Sequence, residues 1–447
     1  MACELARQSL TKEQEKYIAD VLTLYPTLPY NPKARFQPTP TPIRFFYATA
    51  DRIRVPYKFA ELTFKFVPNA HLSHRVIPAK FTGTFLPHQA EVLPEILAQL
   101  QRFGTTLIGL YPGAGKTVLG AYCACLKQLL TVIVIPREPL IASWKSTFAT
   151  FTNAKVWVVG AEAMPAEFDV IILMDGRLNQ IPVEVIDQVG TLIIDEGHML
   201  CTPSRVGVLL GFKPKYIVVE TATLERDDDM HVMIQHMIGK HGVFRTNPKP
   251  FNVIKVMTDY IPRPMKDAYS ELVNDISSSL ERNMLIVRLT QLLPNEKFMI
   301  LTARTEQTYF LHELFQKIGE SSDYLCGQGK STYNDCRILV ATMGKAGVGF
   351  DAATVAKNYD GKPIRVVVLA ASIKKYGPLE QYVGRSFRHP DPLVYYLVDR
   401  HKIIQRHWNL ASKWFVLRLG ILGQLDQATI LNTPLPKPKP KLIIEEN

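Results

Sequence analysis

Three groups of residues in this 447-residue chain have the types and spacing to handle a nucleotide triphosphate. The first is "LYPGAGKT", residues 110–117. A phosphate loop needs small residues so that backbone N–H groups can approach the phosphates, a lysine for the β/γ charge, and a hydroxyl for Mg²⁺. Gly113, Ala114, Gly115, Lys116 and Thr117 supply these. The longer pattern G-x-x-x-x-G-K-[ST] would place glycine where Leu110 stands, so the match is the shorter G-x-G-K-T. A glycine turn ending a strand is the alternative. The apolar run "TTLIGL" before the loop and the helical spacing behind it favour phosphate binding, because a helix N-terminus stabilises phosphate charge. The second group is "TLIIDEGH", whose carboxylates Asp195 and Glu196 end an apolar run. Acids at the carboxyl end of a buried parallel strand sit where open α/β sheets bind ligands: one can hold Mg²⁺ while its neighbour orients and deprotonates water. The third group, "QYVGRSFRH", offers Arg385 and Arg388 three residues apart, as charge for a transition state. Read alone, an ordinary basic helix surface accounts for that pair better.

Elements that would position these groups follow from the apolar pattern. From about residue 80, short apolar runs alternate with helical segments: "TTLIGL", "LTVIVIP", "FDVIILM", "TLIIDE" and "KYIVVETAT". The alternation breaks near residue 250 and resumes with "KFMILTA", "CRILVATM", "IRVVVLAAS" and "LVYYLVD". Strands this apolar predict parallel sheets covered by helices on both faces, hence an α/β fold. The expected organisation is an N-terminal accessory module over 1–79, a first lobe over 80–250, a second over 251–428 and a tail over 429–447. Six prolines in "YPTLPYNPKARFQPTPTP" favour an extended connection inside the N-terminal module, and "IRFFYATADRIRVPYKFAELTFKF" predicts a few short strands after it. The tail "PLPKPKPKL" is Pro/Lys-rich and reads as disordered or as a flexible contact arm.

Composition narrows the class. About half the residues are hydrophobic and no apolar run reaches membrane-spanning length, so no membrane association and a soluble, intracellular protein are expected. The six cysteines form no C-x-x-C pair or metal-ligand spacing, which argues against zinc and iron–sulfur sites. A net charge of +11 favours a polyanionic partner.

Together and in order, these segments resemble the DExH branch of the superfamily 2 helicases over roughly two thirds of the chain. "LPHQ" is similar to the adenine-reading glutamine segment, with Gln89 in place and Pro87 where arginine often stands. "VIVIPREPLIASW" resembles a nucleic-acid-contacting segment, with Ser143 replacing a glutamine. "DEGH" matches the acid box, "TAT" at 221–223 the coupling segment, "ILVATMGKAGVGFD" the fifth motif and "QYVGRSFR" the arginine-finger motif. "TATLERDDDMH" and "SLERNMLI" look like the repair, recombination and large-DNA-virus transcript-release group.

The resemblance implies two tandem RecA-like lobes and a DNA helicase that uses ATP and Mg²⁺ and travels 3′ to 5′. It implies that Gln89 reads adenine, Lys116 neutralises the phosphates, Thr117 and Asp195 hold Mg²⁺, Glu196 activates water, and Arg385 and Arg388 complete the site when the lobes close. His198, Thr221, Thr223 and Gln381 would couple nucleotide to strand, while Arg137 and Thr342 would touch nucleic-acid phosphates. Asp351 would lie near the nucleotide or the arginines, a helix N-cap being the alternative. Single-stranded, forked or duplex DNA is favoured over RNA, with transcription or repair machinery as protein partners. A viral source would place the enzyme in the nucleus, a viral factory or the virion. A duplex translocase that strips bound complexes, an RNA helicase and a non-catalytic scaffold are the alternatives. The aromatic stretch "RHKIIQRHWNLASKWFVLRLGI" reads as a helix packing Trp408 and Trp414 on the lobe in preference to stacking a base. Arg44, Arg52, Arg54 and Lys58 would either grip duplex DNA or form an ordinary solvated face.

Overall fold

The computed structural model describes residues 2–28, 38–223, 226–263, 269–327, 330–347 and 350–436. Most of the Pro-rich connection, Leu224 and Glu225, Val348 and Gly349, and most of the Pro/Lys-rich tail lie outside the described residues. The chain divides into two compact units, Met1–Thr246 and Asn247–Asn447.

The first unit opens with strands β1 (Ala2–Ala6), β2 (Tyr47–Ala48) and β3 (Arg52–Pro56), an antiparallel sheet with β3 in the middle. Where the sequence predicts a further strand, the chain forms helix α1 (Tyr57–Phe64), which packs its buried Phe59 and Ala60 inward and closes on Lys65 in the left-handed region. Then follow α2 (Pro87–Phe103), β4 (Thr105–Leu110), α3 (Lys116–Lys127), β5 (Thr131–Ile135), α4 (Pro139–Phe151), β6 (Val156–Val158), β7 (Val170–Met174), β8 (Thr191–Ile194), β9 (Tyr216–Glu220), α5 (Val232–Ile238) and β10 (Val243–Arg245). The seven strands β10-β4-β9-β8-β5-β7-β6 pair in parallel throughout. Every residue of β4, β5 and β8 is buried, as expected of strands covered on both faces. Ala2, Ile18, Phe45, Ile53 and Val55 of the N-terminal segment join Leu107, Val132, Ile194 and Ile217 of this sheet in one apolar cluster.

The second unit contains β11 (Phe251–Met257), β12 (Phe298–Thr302), β13 (Ser322–Leu325), β14 (Ile338–Thr342), β15 (Val366–Leu369), α6 (Tyr376–Val383), β16 (Leu393–Val398), α7 (Lys402–Leu417) and β17 (Gly420–Asp426). Its sheet, β13-β14-β12-β15-β16-β11-β17, is likewise parallel at every pairing. The fold is therefore α/β with two tandem parallel-sheet lobes. Trp408 and Trp414 lie on α7 and are buried in the core of this unit, so the packing alternative holds for both. Among the described residues, no helix is long and apolar enough to cross a membrane.

Candidate active site

Strand β4 delivers its last residue to a loop whose backbone turns left-handed twice, at Gly113 (φ 85°) and Gly115 (φ 79°), before α3 begins at Lys116. Side chains other than hydrogen are disfavoured at both positions. At Gly115 there is also no room: a Cβ there would stand 2.0 Å from Nε2 of Gln89. Gln89 is buried on α2, accepts from the Leu86 N–H at 2.9 Å and donates to the Ala114 carbonyl at 3.3 Å. His88 contacts the same carbonyl through Nε2 at 3.1 Å. Gln89 is thus brought to the loop, and its amide braces the loop's backbone. The ammonium of Lys116 donates to the Leu110 carbonyl at 2.9 Å, and Thr117 follows it in the first turn of α3.

Asp195 and Glu196 leave the tip of β8. Asp195 is buried and accepts a hydrogen bond from the indole N–H of Trp144 on α4 at 2.9 Å. Burial, then the neighbouring Glu196 charge, push Asp195 up to about 7, against the pull of Trp144 and Lys116. Glu196 adopts φ 48°, a left-handed conformation uncommon for a side chain of this size and often found at functional turns. His198, on the turn of helix that follows, contacts Thr221 Oγ1 through Nδ1 at 2.8 Å and lies 3.4 Å from Glu196 Oε2. Thr221 donates in turn to the Thr223 carbonyl at 2.6 Å. The acid box and the "TAT" segment are therefore joined through His198. Arg226, ion-paired with Asp228 at 2.5 Å, donates to the His198 carbonyl. Arg137 is exposed in the loop after β5.

Sequence reasoning missed Glu220, the last residue of β9. It is completely buried, and burial, followed by the charge of Asp195, raises its carboxyl well above the ordinary range. A signal was present: an acid ends the apolar run "KYIVVE" just as Asp195 ends "TLII". Trp144 closes the segment "VIVIPREPLIASW", and the sequence alone gives it no role.

In the second unit, Thr342 ends β14 and serves as N-cap of the short helix Met343–Ala346. Arg385, just past α6, spreads its guanidinium over three carbonyls: Ala346 at 3.2 Å, Phe350 at 2.5 Å, and Gly347. Arg388 forms a two-pronged ion pair with Asp351, at 2.5 and 2.6 Å. Burial raises Asp351, but that pair and its bond from the Ala353 N–H outweigh burial and hold the carboxyl below its usual range. Asp351 is thus both an N-cap and the partner of Arg388. Gln381 on α6 borders Gly347. The two arginines and Gln381 therefore converge on the segment 346–351 of their own unit.

Of the basic N-terminal residues, Arg52 and Arg54 ion-pair with Glu4 at 2.5 and 2.8 Å, and Lys58 is buried against Glu61. Arg44 is exposed.

The donor set of the first unit fits ATP and Mg²⁺. It combines a loop where a Cβ would fill the cradle, a lysine at a helix N-terminus, a hydroxyl beside it and a buried carboxylate a strand away. The family model described as "Type III restriction enzyme, res subunit" matches residues 82–226, the span holding all of these groups. The chain is 25% identical over 381 residues to "Putative helicase 161L" of Invertebrate iridescent virus 6, covering 77% of this chain and 84% of the relative. It is 27% identical over 133 residues to "DNA 3'-5' translocase XPB2" of Sulfurisphaera tokodaii, 30% of each chain. The solved structure of S. cerevisiae Dbp5 bound to RNA and ADP BeF3 superposes with a TM-score of 0.52 at 11% identity, covering 77% of this chain and 94% of that one, a likeness of fold. The family match over residues 82–226, the viral helicase relative and the two parallel-sheet lobes support a likeness to the superfamily 2 helicases, which are nucleic-acid-dependent ATPases.

Proposed function

We propose that this chain is a DExH-type helicase that couples ATP hydrolysis to 3′ to 5′ movement along DNA, serving transcription, repair or recombination. The observation that carries the motor reading is the 2.8 Å contact of His198 with Thr221, which ties the hydrolytic turn to the end of the neighbouring strand. A change at Glu196 is thereby passed to the "TAT" segment.

In this reading Lys116 neutralises the β/γ-phosphates, and Thr117 and Asp195 hold Mg²⁺. The cation, when bound, draws charge from the phosphate oxygens and favours the ionised form of Asp195. Glu196 orients the attacking water and accepts its proton. Gln89 exchanges its bond to Ala114 for adenine, so the loop registers the base. Arg385 and Arg388 supply positive charge at the γ-phosphate, and Gln381 links them to the segment 346–351. Arg137 and Thr342 contact strand phosphates, which position the strand without reading its sequence.

DNA is favoured because His198 and Gln381 stand where an RNA helicase of the Asp-Glu-Ala-Asp type would carry Asp and usually His; the relatives' names point both ways, one to a DNA translocase and others to RNA helicases. Displacement of bound complexes from duplex DNA, without processive strand separation, is the second reading, supported by the translocase's name. The test is ATP hydrolysis without nucleic acid and with single-stranded DNA, forked duplex or RNA, beside Lys116→Ala as the blank. Stimulation by DNA above RNA is expected. Equal or greater stimulation by RNA overturns the substrate, and no turnover at all overturns the enzyme reading.

A further inference from the structure

The parallel register pairs Ile194 of β8 with Val219 of β9, so the next residues along, Asp195 and Glu220, end side by side on neighbouring strands. Glu220 is completely buried, and among the described residues its carboxylate oxygens find no side-chain partner, with only the backbone N–H of Gly120 facing them. A buried carboxyl with no side-chain partner is costly, and a fold that keeps one is expected to use it.

Space has been made for this group. Helix α3 carries Gly120 in its interior, where glycine weakens a helix. A Cβ at Gly120 would stand 2.3 Å from Glu220 Oε1 and 2.8 Å from the Trp144 ring. The N–H of that ring is the one that holds Asp195 Oδ2. Gly120, Trp144 and Glu220 thus form a packed set behind the carboxylate assigned to the cation.

We propose that Trp144 and Glu220 are positioning residues of the divalent-cation site: Trp144 fixes the orientation of Asp195, and Glu220 is an outer carboxylate that accepts a hydrogen bond from the cation's hydration shell. Mg²⁺ keeps several of its waters and takes one or two protein carboxylates directly, so acceptors around its shell help set its affinity. This inference rests on the ATP·Mg²⁺ reading of the loop.

The test is a Mg²⁺ titration of fluorescent mant-ADP binding to the full chain, beside Glu220→Gln and Trp144→Phe, with thermal melts to confirm that each is folded. Both variants should need about 10- to 100-fold more Mg²⁺ for half-maximal binding, the cost typical of losing an outer-shell partner, while binding without metal stays at the parent level. A metal requirement in Glu220→Gln that matches the parent overturns the role of Glu220, and the same result in Trp144→Phe overturns that of Trp144. Should Trp144→Phe fail to fold, the near-isosteric Glu220→Gln decides the proposal. A parent chain that binds mant-ADP with no metal dependence removes the cation site, and a parent chain that does not bind mant-ADP at all removes the nucleotide reading itself.

Discussion

Glu196 sits in a left-handed turn, φ 48°, between a fully buried strand and a helix of one turn. Its proposed work is proton removal from water. Replacing it with glutamine keeps the shape and removes the base, so nucleotide binding should persist while hydrolysis falls by about 10²- to 10⁴-fold. Hydrolysis at the parent rate would end its assignment as the base. His198 makes a separate prediction. Burial, with Arg226 and Lys116 adding to it, pulls its pKa down to about 4 from 6.5. The unfolded chain therefore takes up a proton that the folded chain refuses. The contribution to stability is complete above about pH 6.5 and is lost as the pH falls toward about 4, by at most about 3 kcal/mol. Denaturant melts at about pH 7.5 and about pH 5 measure this slope. His198→Asn should flatten it, and an unchanged slope would refute the account. At this scale the sequence already displayed the phosphate loop, the acid pair and the arginine pair, because each lies within a few residues. Glu220 and Trp144 escaped notice because their meaning depends on neighbours that only strand register and helix packing supply.

Among the elements, the short helix Met343–Ala346 and the loop after it depend on α6. Arg385 satisfies three carbonyls there, whereas Arg388 reaches the same segment through an ion pair whose arginine is half exposed. The two should therefore separate on mutation. Arg388→Ala should leave the thermal melt within about 0.5 kcal/mol and cut hydrolysis by about 10³-fold or more. Arg385→Ala should lower both hydrolysis and the stability of the second unit, the latter by about 1–3 kcal/mol, because three carbonyls lose their donor. Equal stability losses in melts of the two variants would contradict this division. The same scale shows why strands were read unevenly. All nine apolar runs named from the sequence are strands, and they hold the interior of both sheets. Within these two seven-stranded sheets, the strands missed are β6, β10, β13 and β17 at the edges, and β11 beside one edge. An edge strand is covered less completely, as the mostly exposed side chains of β17 show, so its sequence need not be a continuous apolar run.

For the whole molecule, the N-terminal segment matters more to the first unit than its polar sequence suggests. Ala2 donates its N–H to the Phe212 carbonyl at 2.8 Å, Asn69 donates to the Ala2 and Pro214 carbonyls at 3.0 and 2.9 Å, and Ile18, Leu22, Phe45, Ile53 and Val55 share the sheet's apolar cluster. Removing residues 1–56 should cost the first unit more than about 5 kcal/mol, since at least five large apolar side chains leave its core. A truncated chain that melts with the parent would show that this segment packs without supporting the fold. By itself, the sequence determined the α/β class, nine of the ten interior strands and the order of the segments proposed to handle phosphate, since these follow from local periodicity and from residue types at fixed short spacing. Tertiary structure alone decided that β1 and β3 complete the first core and that Gly120, Trp144 and Glu220 gather behind Asp195. These residues are far apart in the chain and share no period: antiparallel pairing joins β1 to β3, while the parallel register of β8 and β9 and the seating of α3 and α4 bring Glu220, Gly120 and Trp144 to Asp195.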